Sequence, residues 1–309
     1  MWRPALWLYL LLSTVTAAWR PPKISPHRFP LVSSRNSEHI TFEVETEYGV
    51  KLIPPLPIRK ELSCYRVKLG HLVYMSTPKC GSTQMRRIMC ELILRDEGVE
   101  ITPEVNDDVE NSRPFCMRSQ GLVQAGQLLG WNSPKNKLFF IWRDPVDRFI
   151  SQYGYICKKH GECGEAGESL HTAAKGFYNY LQYGQLPKGA SNVSNFRHHI
   201  TPQSWHCDIG EQPGRFQRVE YTQDSGELVE RLRPVLDWTG MPPEDIDAAL
   251  NRLLTSNTNE ERAADKKVHK YDMWREEVLK NRTTLGYVLA INYHDYRLFQ
   301  KELPKIPPK

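Results

Sequence analysis

Apolar and polar positions change rhythm several times along the chain. It opens with an uncharged apolar run, Ala5 to Ala18 (ALWLYLLLSTVTAA), and then loses any hydrophobic period. From residue 20 to about 60, RPPKISPHRFP and LIPPLPIRK are Pro-rich with scattered charge, a composition that predicts an extended lead-in rather than a packed core. Order returns at His71. HLVYMST is a compact β-type run, and Met85, Ile88, Met89, Leu92 and Ile93 then recur at helical spacing, with Gly98 as the stop. After a polar surface excursion (PEVNDDVENSRP), KLFFIWR (Lys137 to Arg143) is a second apolar strand, of the kind buried on both faces of a parallel sheet. Asp144-Pro145 opens a helix with Pro in its first turn, and Val146, Phe149, Ile150 and Tyr153 fall on one side of it.

The rest continues the alternation. Phe216 to Thr222 reads as a strand, and GELVERLRPVLDWTG, PPEDIDAALNRLL and YDMWREEVLKN read as helices, followed by LGYVLAINYHDYRLFQ. Strands alternating with helices predict an α/β fold with a central parallel sheet flanked by helices. No internal repeat is present.

Charge and the N-terminus narrow the setting. A net +5, from 41 basic against 36 acidic residues, is too mild for bulk nucleic-acid binding and suits a local cleft for a small anion or an acidic polymer. Ala5 to Ala18 is short for a bilayer span and suits a signal-peptide core; Trp2 and Trp19 at its ends suit a short signal anchor equally well. Either route leads into the secretory lumen. The sequons at Asn192 and Asn281 agree with that route, and there the seven cysteines would be oxidisable. An odd number leaves at least one of them unpaired within the chain. The expected division is 1–20 signal peptide or anchor, 21–66 Pro-rich stem, and 67–309 luminal domain.

Two segments carry chemistry. In YMSTPKCGSTQMRRIM a strand ends at Thr77-Pro78, Gly81 lets the backbone approach a ligand, and Ser82 and Thr83 open a helix whose N–H groups and dipole form an anion site. Lys79 precedes the Gly, whereas a nucleotide-triphosphate loop places its Lys after it. Taken alone, the segment reads equally well as an ordinary turn with an exposed lysine. In FFIWRDPVDRFISQY, Arg143 ends a strand where its guanidinium can fork onto a phosphate, and Ser151 lies eight residues on. Asp144 reads as the helix cap and Arg148 as a structural ion-pair residue.

Together the two loops suit a nucleotide with phosphates at both ends of its sugar. TPKCGST followed by FFIWRDPVDRFISQY resembles the 5′-phosphosulfate and 3′-phosphate loops of sulfotransferases, which use 3′-phosphoadenosine 5′-phosphosulfate (PAPS). The Cys-Gly-Ser form and the C-terminal INYHDYRLFQ look most like Golgi carbohydrate sulfotransferases of the chondroitin 4-O-sulfotransferase group, in a nematode-type branch, over about Leu72 to Leu303. The resemblance implies a P-loop-like sulfotransferase fold working without a metal. Lys79, Cys80, Gly81, Ser82 and Thr83 would hold the 5′-phosphosulfate, and Arg143 and Ser151 the 3′-phosphate. It also implies an anionic chondroitin- or dermatan-like acceptor, drawn by basic residues such as Arg86, Arg87, Arg118 and Arg197.

A sulfuryl acceptor needs a base, and histidine serves near neutral pH. His199 stands eight residues before Cys207, similar to a His…Cys segment of the chondroitin group, with Ile200 where that group has Trp and His198 as the reserve. Two surface histidines are the plainer reading. A zinc site of His198, His199, His206 and Cys207 is poorly spaced for a tetrahedral ion, and Cys207 reads better as a disulfide partner. The rival functions are a P-loop kinase or NTPase and an inactive secreted glycan-binding protein.

Overall fold

In a computed structural model of the chain, residues 40–59, 65–101, 133–255 and 265–307 are described. The apolar run Ala5 to Ala18, the PEVNDDVENSRP segment, Arg118, Cys64 and Cys116 lie outside them. Among the described residues no helix is long and apolar enough to cross a membrane.

The central sheet has the order β3-β4-β5-β6, with β3 at Tyr65–Leu69, β4 at Leu72–Ser76, β5 at Lys137–Trp142 and β6 at Phe216–Glu220. β4, β5 and β6 are parallel, and β3 is an antiparallel edge joined to β4 by a tight turn at Gly70-His71. Both predicted apolar runs are central strands. Every residue of β4 and all but the first of β5 are buried, because helices cover both faces of the sheet.

Strand alternation sorts those residues between two cores. Tyr74, Phe139 and Ile141 face α1 (Ser82–Asp96), α5 (Ser225–Leu236) and α6 (Pro243–Thr255). Val73, Met75, Phe140 and Trp142 face the other way, toward Ile209 and Phe299. Trp142 stacks on Phe299 with ring centroids 4.9 Å apart. Phe299 closes α8 (Arg282–Phe299), so the end of the C-terminal INYHDYRLFQ segment packs on this face.

A third core joins α2 (Pro145–Gln152), α3 (Leu170–Tyr183), α4 (Val193–Ile200), α8 and a hairpin of β1 (Phe42–Thr46) and β2 (Gly49–Ile53). α7 (Asp265–Lys280) adds Val278 to the same core. The hairpin is packed structure within the span 21–66 that composition predicts to be an extended lead-in. Phe42, Val44, Ile53 and Leu56 are buried, and Leu56 N donates to the Ala290 carbonyl at 2.9 Å. The Pro-rich composition masked a five-residue alternation, FEVET, whose apolar side has α8 to pack on. Gly286 makes the approach possible: a Cβ there would sit 2.7 Å from the Glu43 carbonyl oxygen.

Candidate functional site

The loop after β4 is anchored before it turns. Thr77 is fully buried, and its hydroxyl donates to the Ile141 carbonyl on β5 at 2.8 Å. Lys79 (φ 64°) and Gly81 (φ 71°) then both adopt left-handed backbone, which reverses the chain into α1. The tolerance for Gly81 is narrow, since a Cβ would lie 2.8 Å from the ring of Tyr221. The first bond of α1 runs from Met85 N to the Gly81 carbonyl. No side chain caps the helix and its first turn is free of acids, so the N–H groups of Ser82, Thr83 and Gln84 form an electropositive cradle.

Lys79 brings a full charge to that cradle. Its Nζ lies 3.7 Å from the centre of the Tyr155 ring. Burial, and then the nearby Arg143 and Lys159, push its ammonium down to about 8. Among the described residues it meets no carboxylate. An incoming dianion would supply the missing counter-charge.

The loop after β5 is built differently. Asp144 caps α2, accepting from Val146 N at 3.0 Å and Asp147 N at 3.3 Å, as its Asp-Pro start predicts. Arg143 is held between Tyr221 and Tyr271, its guanidinium 4.9 and 5.3 Å from the two ring centres. It donates to the Tyr271 hydroxyl at 2.6 Å and to the Lys79 carbonyl at 3.3 Å, and Tyr271 donates in turn to the Asp147 carbonyl. This cation opens on a cleft of about 360 Å³ between the ends of β5 and β6.

A buried network joins the two loops. Gln203 is inaccessible to solvent; its Oε1 accepts from Arg143 N (2.9 Å) and from the Cys80 thiol (3.0 Å), and its Nε2 donates to the Arg143 carbonyl (2.8 Å). Asp295 of α8 orients it by accepting from Gln203 N and Ser204 N, both at 2.8 Å. Arg148 corrects its expected ion pair. It is fully buried and donates to three main-chain carbonyls: Pro78 (3.0 Å), Thr201 (2.8 Å) and His199 (3.5 Å). A guanidinium has the donor fork to tie the first loop to the His199 segment in this way.

His199 closes the site. Its Nδ1 lies 2.9 Å from the Asn195 carbonyl, which sets Nδ1 as the donor and leaves Nε2 to accept a proton. Its ring tilts against Tyr155, the ring that also carries Lys79, with centroids 5.0 Å apart. Burial pushes His199 down to about 4 against the opposing Asn195 bond, with His198 and Lys79 lowering it further, so it is neutral at pH 7.

A profile of the sulfotransferase family matches residues 68–302. The chain belongs to the sulfotransferase family. Among curated proteins, an uncharacterised Caenorhabditis elegans protein, C18B2.2, is 25% identical over 259 residues, covering 78% of this chain and 70% of its own. Another from the same organism, vep-2, provisionally named a sulfotransferase, is 26% identical over 188 residues, covering 57% of this chain and 58% of its own. No solved structure matches the chain.

For a sulfotransferase, the structure brings together Lys79, Cys80, Gly81, Ser82, Thr83, Arg143 and His199. Ser151 sits half-buried on α2, and its hydroxyl has no hydrogen-bond partner among the described residues. Cys207 is disulfide-bonded, which removes it from the zinc alternative. Cys90 is also bonded, Cys157 pairs with Cys163, and Cys80 is the free cysteine among the described residues. Asn192 and Asn281 are both exposed and cap α4 and α8, respectively. Sequence reasoning missed Gln203, Tyr155, Tyr221 and Tyr271. Each is a common residue in an unremarkable context whose role comes from what it touches.

Proposed function

We propose that this sulfotransferase moves the sulfuryl group of PAPS to a hydroxyl of an anionic glycan, with chondroitin at its 4-O position the first acceptor to test. The observation that carries the reading is the convergence of three groups on one buried network: Lys79 with the uncapped α1 N-terminus, Arg143 in its tyrosine sandwich, and a neutral His199. The α1 cradle and Lys79 suit the 5′-phosphosulfate, and Arg143 suits the 3′-phosphate. Ser151 is the second 3′-phosphate group in this assignment.

In the transfer, His199 Nε2 takes the proton of the sugar hydroxyl. The hydroxyl oxygen forms a bond to sulfur, and the bond from sulfur to the bridging phosphate oxygen breaks. The electron pair stays on the phosphate, where Lys79 and the α1 N–H groups stabilise it. Arg86, which donates to the Ser82 carbonyl at 3.2 Å, places a further cation beside the cradle for an anionic acceptor.

A kinase reading is disfavoured by the order of the β4 loop, where Lys79 precedes Gly81 whereas a nucleotide-triphosphate loop places its Lys after the Gly. For localisation we propose the secretory lumen, specifically the Golgi, by cleaved signal or anchor. The Cys157–Cys163 disulfide and the exposed sequon asparagines support an oxidising, glycosylating compartment.

The test is to incubate the full-length protein with labelled PAPS and a panel of desulfated glycans, then map the sulfated carbon. Label on a chondroitin hydroxyl is the expected result. Label on no glycan, with PAPS still bound, would favour the glycan-binding alternative.

A further inference from the structure

α2 does not end where its helical pattern does. It runs on as a π-helix, Tyr153–Lys159, whose wider turns carry an extra residue and redirect the side chains beyond them. Its closing bond is of the wide type, with His160 N donating to the Tyr155 carbonyl at 3.1 Å. Two features hold the segment in place. Gly154 faces Trp274, where a Cβ would lie 3.2 Å from the indole, and the Cys157–Cys163 disulfide ties the end of the π-helix to the loop that follows. The result is the direction of a single ring, Tyr155.

That ring has two functional neighbours. Lys79 Nζ sits over it at 3.7 Å, and His199 lies tilted against it at 5.0 Å and 32°. Lys159 (5.7 Å to the ring centre) and His160 (centroids 4.4 Å apart) flank it. Among the described residues the Lys79 ammonium has no hydrogen bond or carboxylate, so the electron-rich ring is what locates it. A desolvated cation is attracted to an aromatic face by the ring quadrupole.

We propose that Tyr155 is a positioning residue of the transfer site, setting the leaving-group cation Lys79 and the base His199 at a fixed separation across one aromatic ring. The proposal rests on the sulfuryl-transfer reading above. The two groups act on opposite ends of the reaction, one on the proton of the attacking oxygen and the other on the departing phosphate. A common support keeps both aligned before either ligand arrives, and misplacement by about 1 Å costs up to ~100-fold in rate. The π-helix and its disulfide aim the support, and Tyr155 itself touches no reacting atom.

The test uses the full-length protein and the variants Y155F, Y155M and Y155L. The expected result is a transfer rate for Y155F within about twofold of wild type, while Y155M and Y155L lose roughly 10- to 100-fold in kcat with a smaller change in KM for PAPS. A second readout does not depend on turnover. In 13C-histidine NMR, with the His199 signal assigned by its absence in H199Q, the ring-current shift from Tyr155 should persist in Y155F and vanish in Y155M and Y155L. Thermal midpoints close to wild type exclude a merely unfolded variant; if Y155L fails to fold, Y155M carries the test.

Wild-type kcat in Y155M, or a His199 signal unmoved by losing the ring, overturns the proposal. Y155F as impaired as Y155L also overturns it, because the hydroxyl rather than the ring would then matter. If the wild-type protein transfers no sulfate, the sulfuryl-transfer reading fails, and the NMR arm alone decides whether the ring fixes His199.

Discussion

The loops after β4 and β5 carry one cation each and are joined through Gln203, and they hold that cation by opposite means. Arg143 is surrounded by partners: two tyrosine rings, the Tyr271 hydroxyl and the Lys79 carbonyl. Its planar donor fork lets these contacts fix it in advance. Lys79 has a left-handed backbone, one ring face under its ammonium, and an acidity raised by burial and neighbouring cations. The β5 loop is complete before any ligand arrives, which suits the static 3′-phosphate of the proposed site. The β4 loop keeps a charge under-compensated until an anion arrives, which suits a group that must respond to charge developing during a reaction.

The sharpest way to break this contrast is to remove each cation in turn. Lys79→Ala should lower kcat for sulfate transfer by about 10²–10³-fold. Arg143→Ala should act chiefly on KM for PAPS, by roughly 10- to 100-fold, since a charge-assisted contact is lost at a group that does not react. Equal effects on kcat from both variants would erase the proposed division of labour. His199→Ala should abolish turnover while leaving affinity for the nucleotide product, measured by calorimetry, nearly intact. A wild-type rate in that variant would move the base role elsewhere.

Gln203→Leu tests whether the loops act as one unit. It strands the Arg143 N–H and carbonyl and the Cys80 thiol in a buried setting, at roughly 1–3 kcal/mol for each unmet group. A drop of several degrees in the thermal midpoint is expected, together with weaker PAPS binding; a stable variant with native affinity would show that the loops are independent.

The smallest effect is on pH. In the free enzyme Lys79 titrates near 8, so kcat/KM for PAPS should fall as pH rises through about 8, where the ammonium loses its proton. The base is lowered to about 4 and stays neutral down to that region, so the acid limb should lie well below the usual histidine range. Lys79→Arg should flatten the alkaline limb and leave the acid one in place. An unchanged alkaline limb in that variant would assign it to another group.

Legibility followed locality. The strands β4, β5 and β6, the stop at Gly98, the Asp144 cap and the buried side of α2 were all readable, because each depends on residues within a turn or two of one another. The hairpin Phe42–Ile53 was hidden because its apolar stripe is short and its partner, α8, lies some 240 residues away. The π-helix after α2 was hidden for a related reason. Tyr153-Gly154-Tyr155 has ordinary helical spacing, and packing of Gly154 on Trp274 accompanies the wider turn.

By itself, the sequence located the two loops and the residue types each brings. A Lys before a Gly, a helix opening with hydroxyls and an Arg at a strand end are local facts that no fold changes. Only the tertiary structure decided that these parts form one site. It brought Gln203 between the loops, gave Arg148 carbonyls in place of a counter-ion, and put Lys79 and His199 on the same tyrosine ring. The physical reason is range. Backbone conformation and capping act over a few residues, whereas burial, desolvation and ring contacts depend on whatever distant segment fills the space beside them.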